Sequence, residues 1–426
     1  YYSDPSLGMS EEFSYLAKNV IPGVIEVDRA KGIRFWDKAG KEYLDFSAQS
    51  NNLNFGNAPE HVLEAMVKQF GRFSYISSRM RSDVFEALSR KLVEITPSSL
   101  VKVNAKFTDG STAVESALKR VRTAKRKPYV ITFHESHHGE SCETLHANGK
   151  RFTPRTLQFG GSGKFLHTPP PFVVQELQNI SESAAEEASL SMLRMLCHGR
   201  QDIAAILLDP AMFPAGCHPF TKRFIDETSQ LCDEADAALI FDEVQTGFGW
   251  TGNMFAADHY GTDPHMMTFG KGIAAGLPLA AVVMREEYDV LEYEEDEFTY
   301  GGMPLSCAAA LKTIERLEQP GMLEHVKTIS TEIAKAIKFL RTRYADIVTN
   351  VRSLGVMAGL DFCSSDPHAA HTIYGLALKR GLLTRLAANE RNSLALKPPL
   401  IATQDDVHAA RDLLGESLDE YRTLYA

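Results

Sequence analysis

Long apolar runs are missing from this 426-residue chain. None approaches the roughly 20 residues that a membrane-spanning helix needs, so no transmembrane segment is expected. Closely paired cysteines are missing too. The six cysteines, at 142, 197, 217, 232, 307 and 363, show no CxxC spacing, which fits reduced thiols in a cytoplasmic protein. An excess of basic charge is absent: 45 Lys and Arg stand against 55 Asp and Glu, leaving a net charge of −10. That balance argues against nucleic acid or another extended polyanion as a partner, and leaves room for a local cradle holding one phosphate. Residues 1–13 lack the basic region and apolar core of a signal peptide, and the missing initiator Met points to a trimmed chain. No internal repeat is found. Gly160 to Lys164 resembles part of a nucleotide P-loop, but Phe165 follows the lysine where Ser or Thr is needed, so the motif is discarded.

What the chain has is an ordinary globular composition, 44% hydrophobic and 23% charged, in a length that allows one large domain and a smaller one. Its most organised stretch covers 238–284, ALIFDEVQTGFGWTGNMFAADHYGTDPHMMTFGKGIAAGLPLAAVVM. The run 238–241 reads as a buried parallel strand and ends in Asp242 and Glu243. A second apolar run, 266–269, ends in Gly270-Lys271-Gly272, and a third covers 279–284. Open α/β sheets place their ligands at the carboxyl ends of strands. An acid at one such end and a lysine between glycines at another make a chemical arrangement if the strands are neighbours. Taken alone, Asp242 also fits a turn cap and Lys271 a loop lysine.

Residues 1–30 read as an arm or lid, and 32–46 as a β-hairpin with a Gly-containing turn. A polar loop with Asn51, Asn52, Asn54 and Gly56 follows. Helical spacing marks 59–70 and 83–95. At 110–111, Gly-Ser opens a further helix, where free N–H groups and the positive dipole end make an anion site; a plain N-cap is the alternative. Strand 128–133 runs into His134-Glu135-Ser136-His137-His138-Gly139. The three histidines could ligate a metal, but their place between a strand and a Gly predicts a loop, and no metal is expected. Residues 147–180 look like a long functional loop, and 183–196 a helix with Ser183 and Glu186 at capping-box spacing. Strand 203–208, helix 220–233 and strand 238–241 form a βαβ unit. The alternation over 105–284 predicts a parallel sheet flanked by helices. An acidic stretch, 286–297, reads as solvated. Helices at 307–317 and 326–344 and a last 80 residues of mixed elements suit a small α+β domain.

These pieces resemble the class III (ω-amino acid type) aminotransferases, pyridoxal-phosphate enzymes of fold type I. The likeness runs from the 41–46 hairpin to Pro398-Pro399-Leu400. It is carried most by Phe241-Asp242-Glu243-Val244-Gln245-Thr246-Gly247-Phe248-Gly249, by Gly270-Lys271-Gly272, and by Thr299-Tyr300-Gly301-Gly302. The resemblance implies an α/β fold with a mostly parallel, seven-stranded large-domain sheet and a small α+β domain. The expected division is an arm and hairpin over 1–55, a cofactor-binding domain over 56–305 and a small domain over 306–426.

By the same resemblance, Lys271 would carry pyridoxal 5′-phosphate as a Schiff base and shuttle a proton. Asp242 would pair with the pyridine nitrogen. Val244 would pack under the ring and Gln245 would meet its hydroxyl. Gly110 and Ser111 would hold the phosphate, joined by Thr299 of a second subunit in a homodimer. The residue before His-Gly is usually a stacking Tyr or Phe, and here it is His137, an imidazole that can also titrate. Thr112, Val114, Met303 and Asp209 also depart from common family residues. Arg385 stands where some members reach a substrate carboxylate, for which a guanidinium fork is suited, and Asn52 is a second substrate candidate. The expected activity is transamination between an amine or ω-amino acid and a keto compound, on a free or carrier-tethered substrate. An aminomutase of the glutamate-1-semialdehyde type, or a racemase, is the alternative on the same scaffold.

Overall fold

The apolar runs of the sequence build one large sheet and two small ones. The computed structural model describes residues 25–77, 79–149, 162–363 and 365–425. Most of the expected arm (1–24), the P-loop-like glycines 160–161 and part of the expected loop (150–161) lie outside the described residues.

The first small sheet begins with β1 (Val27–Lys31), β2 (Arg34–Asp37) and β3 (Glu42–Asp45). The expected hairpin is β2 and β3, turned at Gly40 with φ +83°, a left-handed value that suits glycine. Residues 27–30, expected in an arm, instead pair antiparallel with β2.

The large sheet holds β4 (Lys102–Phe107), β5 (Tyr129–Phe133), β6 (Phe165–Thr168), β7 (Ile203–Leu208), β8 (Ala238–Asp242), β9 (Met266–Phe269) and β10 (Ala280–Met284), in the order β4-β10-β9-β8-β7-β5-β6. All of β7 and β8 is buried, as strands covered on both faces must be, which is why they read as unbroken apolar runs. The 279–284 run departs from the parallel expectation: β10 is antiparallel to both neighbours. An apolar run buried on both faces carries no mark of direction, so the sequence pattern does not reveal this.

Helices cover the sheet. Asp83–Ile95 falls where its spacing predicted, and Gly110–Lys125 starts at the expected glycine. Two expectations change. The 147–180 loop contains β6 and a helix, Pro171–Gln178. The next helix, Glu182–Gly199, is capped at Ser181, whose hydroxyl accepts the Ala184 amide, and not by a Ser183–Glu186 box. The stretch 286–297 is not wholly solvated either. Asp296 is buried and ion-paired with Lys119 and Arg120.

Beyond the large sheet, helices Pro304–Glu318 and Met322–Arg343 lead to β11 (Val348–Leu354), β12 (Met357–Phe362), β13 (Leu382–Leu383), β14 (Arg385–Leu386) and β15 (Ser393–Leu396), followed by helix Gln404–Tyr425. Strands β11, β12, β15 and β14 make the third sheet, while β13 leaves it to pair in parallel with β3. Among the described residues no helix is long and apolar enough to cross a membrane.

Candidate active site

Strands β5, β7, β8 and β9 run parallel, and β4 shares their direction across antiparallel β10. Their carboxyl ends therefore meet along one edge of the sheet. The loops leaving that edge carry Gly110 and Ser111, His137 and His138, Asp209, Asp242 and Lys271. They enclose a cavity of about 300 Å³. Of the ten residues singled out in the sequence, eight line it: Asn52, Gly110, Ser111, His137, Asp242, Val244, Gln245 and Lys271. A larger groove, about 930 Å³, opens between helix Pro171–Gln178 and β12 and contains none of them. Size favours the groove, but the chemistry is in the smaller cavity.

Asp242 ends β8 with its carboxylate fixed at both oxygens. Oδ2 lies 2.7 Å from His138 Nδ1, and Oδ1 accepts from Thr268 Oγ1 at 3.0 Å and from the Val244 amide at 3.2 Å. The His138 Nε2 faces Thr132 Oγ1 at 3.2 Å, so the imidazole is oriented from both sides. Such a carboxylate cannot swing away from the group it faces.

Lys271 follows β9 with φ +44°. A non-glycine residue in this left-handed region costs roughly 1–3 kcal/mol and persists only where the surroundings enforce it. Its amine is pushed down to about 8 by burial; Arg385 acts in the same direction, and Asp242 and Asp209 oppose it. Asp209, at the end of β7, is pushed up to about 6 by burial and by the charge of Asp242. Its Oδ1 accepts the Ala211 amide, and its buried Oδ2 has no hydrogen-bond partner.

At the other end of the cavity, helix Gly110–Lys125 is capped by Asp109, which accepts the Thr112 amide at 3.1 Å. Ser111 is therefore not the cap; its hydroxyl accepts the Glu140 amide at 3.2 Å. The first N–H groups of any helix lack intrahelical acceptors, and Gly110 and Ser111 hold two of those positions. A Cβ at Gly110 would lie 2.8 Å from Val244 Cγ1, so only glycine lets the helix end approach the β8 turn this closely.

The three histidines of the 134–138 run go to three places. His134 stacks on His167, His137 stands half-buried at the cavity with Nδ1 3.8 Å from Glu140 Oε1, and His138 serves Asp242. Arg385 and Thr299 do not line the cavity. Arg385 lies near enough to influence the Lys271 amine, and Thr299 is exposed, its carbonyl accepting the Tyr75 hydroxyl at 2.9 Å.

Sequence reasoning missed several supporting residues. His138 and Thr268 hold Asp242, Asn51 donates to the Gln245 carboxamide at 3.1 Å, and Lys397 donates to the Gln245 carbonyl at 2.6 Å. The only available signal was the His-Gly pair at 138–139. The others come from strands and turns remote in sequence.

The profile of the family described as aminotransferase class-III matches residues 15–418. The chain belongs to the class III aminotransferases. A 5-aminovalerate aminotransferase of Pseudomonas putida is 32% identical over 389 residues, covering 89% of this chain and 89% of that protein. An acetylornithine aminotransferase of Nostoc sp. is 27% identical over 405 residues, covering 92% and 89%. In fold, the chain is similar to the omega transaminase of Pseudomonas jessenii, with a TM-score of 0.87 at 22% identity over 94% of each chain.

Membership makes this class III aminotransferase a pyridoxal 5′-phosphate enzyme, and the cavity fits that group. It offers an amine lowered toward neutrality on one wall and a locked carboxylate at its floor. It also offers a helix N-terminus cleared of side chain at Gly110 for an anion. The Asp109 carboxylate at that end is already engaged by the Thr112 amide and the Thr108 hydroxyl.

Proposed function

We propose that this aminotransferase takes the terminal amino group of a carboxylate-bearing chain and passes it to a keto acid, with Lys271 and Asp242 as its catalytic pair. The observation that carries this reading is the pair itself. A lysine amine with its pKa near 8 shares a 300 Å³ cavity with a carboxylate held by three hydrogen-bonding partners.

When bound, pyridoxal phosphate supplies a carbonyl that exchanges with amines and a ring that accepts the electron pair released at the substrate carbon. The chain's own groups do the rest. Gly110 and Ser111 hold the phosphate at their helix end. Asp242 keeps a proton on the ring nitrogen by Coulomb attraction, and His138 and Thr268 keep Asp242 in place. Val244 would pack against the ring, His137 would stand beside it, and the Gln245 carboxamide would meet the ring hydroxyl, all three lining the cavity. Lys271 Nζ would take a proton from the substrate carbon and return it one position away. Asn52 lines the cavity, and Arg385, outside that lining but near enough to act on the Lys271 amine, would receive the carboxylate.

The substrate class is supported by the relatives' names, in which 5-aminovalerate and acetylornithine each carry a side-chain or terminal amine on a carboxylate-bearing skeleton. A homodimer is supported by helix Glu60–Phe70. Its Leu63, Val67 and Phe70 share one face and are 54–65% exposed, close in sequence to Tyr75, which packs on Tyr300 beside Thr299. In such a dimer Thr299 serves the phosphate of the partner subunit. The division into 1–55, 56–305 and 306–426 is supported by the separate small sheets, with β13 joining the first hairpin to the C-terminal part. The free cysteines among the described residues suit a cytoplasmic setting.

The test is the holoenzyme's visible absorption with a panel of amines and keto acids. We expect 5-aminovalerate-like donors to bleach the lysine-linked band and a keto acid to restore it. Turnover of a single amino compound without any keto partner overturns the transfer reading in favour of a mutase or racemase. Arg385→Ala is expected to raise KM for carboxylate-bearing donors roughly 10- to 100-fold, the worth of about 1.5–3 kcal/mol for hydrogen bonds to a charged group. Donors without a carboxylate should be unaffected.

A further inference from the structure

Lys397 is the most deeply placed lysine near the site, with no solvent exposure. It follows β15 and precedes the Pro398-Pro399 turn, and its backbone amide is tied to the Phe46 carbonyl at 2.7 Å. It does not line the cavity. Its amine lies 4.0 Å from the centre of the Trp250 ring and 5.3 Å from that of Phe213, and donates to the Gln245 backbone carbonyl at 2.6 Å. Two aromatic faces and one carbonyl give the three N–H directions of an ammonium somewhere to point.

Gln245 is gripped from the other side as well. Asn51, fully buried, donates through Nδ2 to Gln245 Oε1 at 3.1 Å. That bond leaves the Gln245 Nε2 donor directed elsewhere, and Gln245 lines the cavity. Asn51 sits in a left-handed turn in which Ala48, Gln49, Ser50 and Asn51 all have φ between 45° and 69°. Four such non-glycine residues in succession are costly. The buried Asp45 carboxylate holds the turn by accepting from Ser47 and Gln49. The molecule thus maintains an unfavourable turn on one side of Gln245 and a desolvated amine on the other.

We propose that Lys397 and Asn51 are positioning residues that clamp Gln245, Lys397 at its carbonyl and Asn51 at its carboxamide, so that its Nε2 faces the ring hydroxyl of the bound cofactor. This rests on the reading above that Gln245 meets that hydroxyl. A removable clamp has no use in mere packing: a methionine would fill the Phe213–Trp250 box without the cost of burying an amine. Burial pushes the Lys397 amine well below its ordinary range, Lys271 and Arg385 push the same way, and Asp209 opposes. The groups facing Lys271 are Asp242 from β8, Asp209 from the end of β7 and Arg385 from β14. Lys397 and Lys271 also repel each other, so Asn51→Ala, which removes no ionisable group, separates loss of the clamp from loss of that repulsion.

The experiment titrates the visible band of the holoenzyme with pH and follows cofactor loss on dialysis. A donor facing the ring oxygen favours its ionised form, so losing that donor moves the band's pH midpoint upward. Gln245→Ala is expected to raise the midpoint by roughly one unit, the worth of one hydrogen bond to a charged group. Lys397→Met should raise it in the same direction and speed cofactor loss several-fold. The double variant should shift no further than Gln245→Ala alone, because both changes remove one interaction. Lys397→Gln, which restores an N–H donor, should recover part of the shift. Should Lys397→Met fail to fold, Asn51→Ala reports the same midpoint shift from the other end of the clamp. A shift with Gln245→Ala but none with Lys397→Met or Asn51→Ala overturns the clamp and leaves the Gln245 reading standing. No shift with Gln245→Ala overturns that reading and the clamp with it.

Discussion

At the scale of single residues, the proposed chemistry depends on one amine. Lys271 is held near a pKa of 8 by burial, well below an ordinary lysine. Below that pH Nζ carries a proton and cannot attack a carbonyl; above it the amine is free. Cofactor uptake by the apoenzyme, followed as growth of the visible band, is therefore expected to rise through about pH 8 and then level off. A climb that continues to the ordinary lysine range near 10.5 would contradict the burial argument. The same shift has a cost in stability. An unfolded chain keeps this proton up to its higher pKa, so burying Lys271 destabilises the apoenzyme below about pH 8, and the penalty fades as pH rises from there toward 10.5. The motif residues Asp242 and Lys271 were legible in the sequence because they lie in one stretch with the apolar runs that place them. Their supports were not. His138 reaches Asp242 across 104 positions and Lys397 reaches Gln245 across 152, and no local pattern records such pairings.

Elements were legible where an amphipathic or wholly apolar pattern was undisturbed. Helix Gly110–Lys125 and strands β7 and β8 fall where periodicity put them. The region 147–180 misled because its glycines and prolines mask a four-residue edge strand and a helix that starts on a proline. The apolar spacing of 59–70 predicted a helix correctly, yet Leu63, Val67 and Phe70 of its stripe face outward, since periodicity reports a face and not what covers it. The start of the Gly110 helix provides the prediction at this scale. Gly110→Ala adds a methyl 2.8 Å from Val244 Cγ1, an overpacking worth about 1–3 kcal/mol. Alanine as the better helix former offsets at most about 1 kcal/mol of this, so an apoenzyme melting temperature lowered by no more than a few degrees should accompany a cofactor affinity lowered at least tenfold. Unchanged affinity would show that the helix end can retreat without consequence.

At the scale of the molecule, the proposed homodimer rests on the outward face of the Glu60–Phe70 helix. Val67→Glu with Phe70→Glu places two charges where a second copy is expected to bury apolar surface. Sedimentation velocity should then show monomers, and the cofactor should be lost more readily because Thr299 no longer reaches its neighbour. A wild-type monomer at micromolar concentration would remove the basis of this prediction.

The parallel pairing of β13 with β3 has a consequence for how the chain is made. Leu382 lies beside Leu44, roughly 340 residues later in synthesis. At about 5–20 residues per second, β3 emerges from the ribosome and waits on the order of tens of seconds for the strand that covers its edge. During that interval the buried side chains Tyr43 and Leu44 belong to an open edge able to pair with other nascent chains. The first hairpin to appear is thus among the last to be closed, and truncations near the C-terminus should expose it permanently.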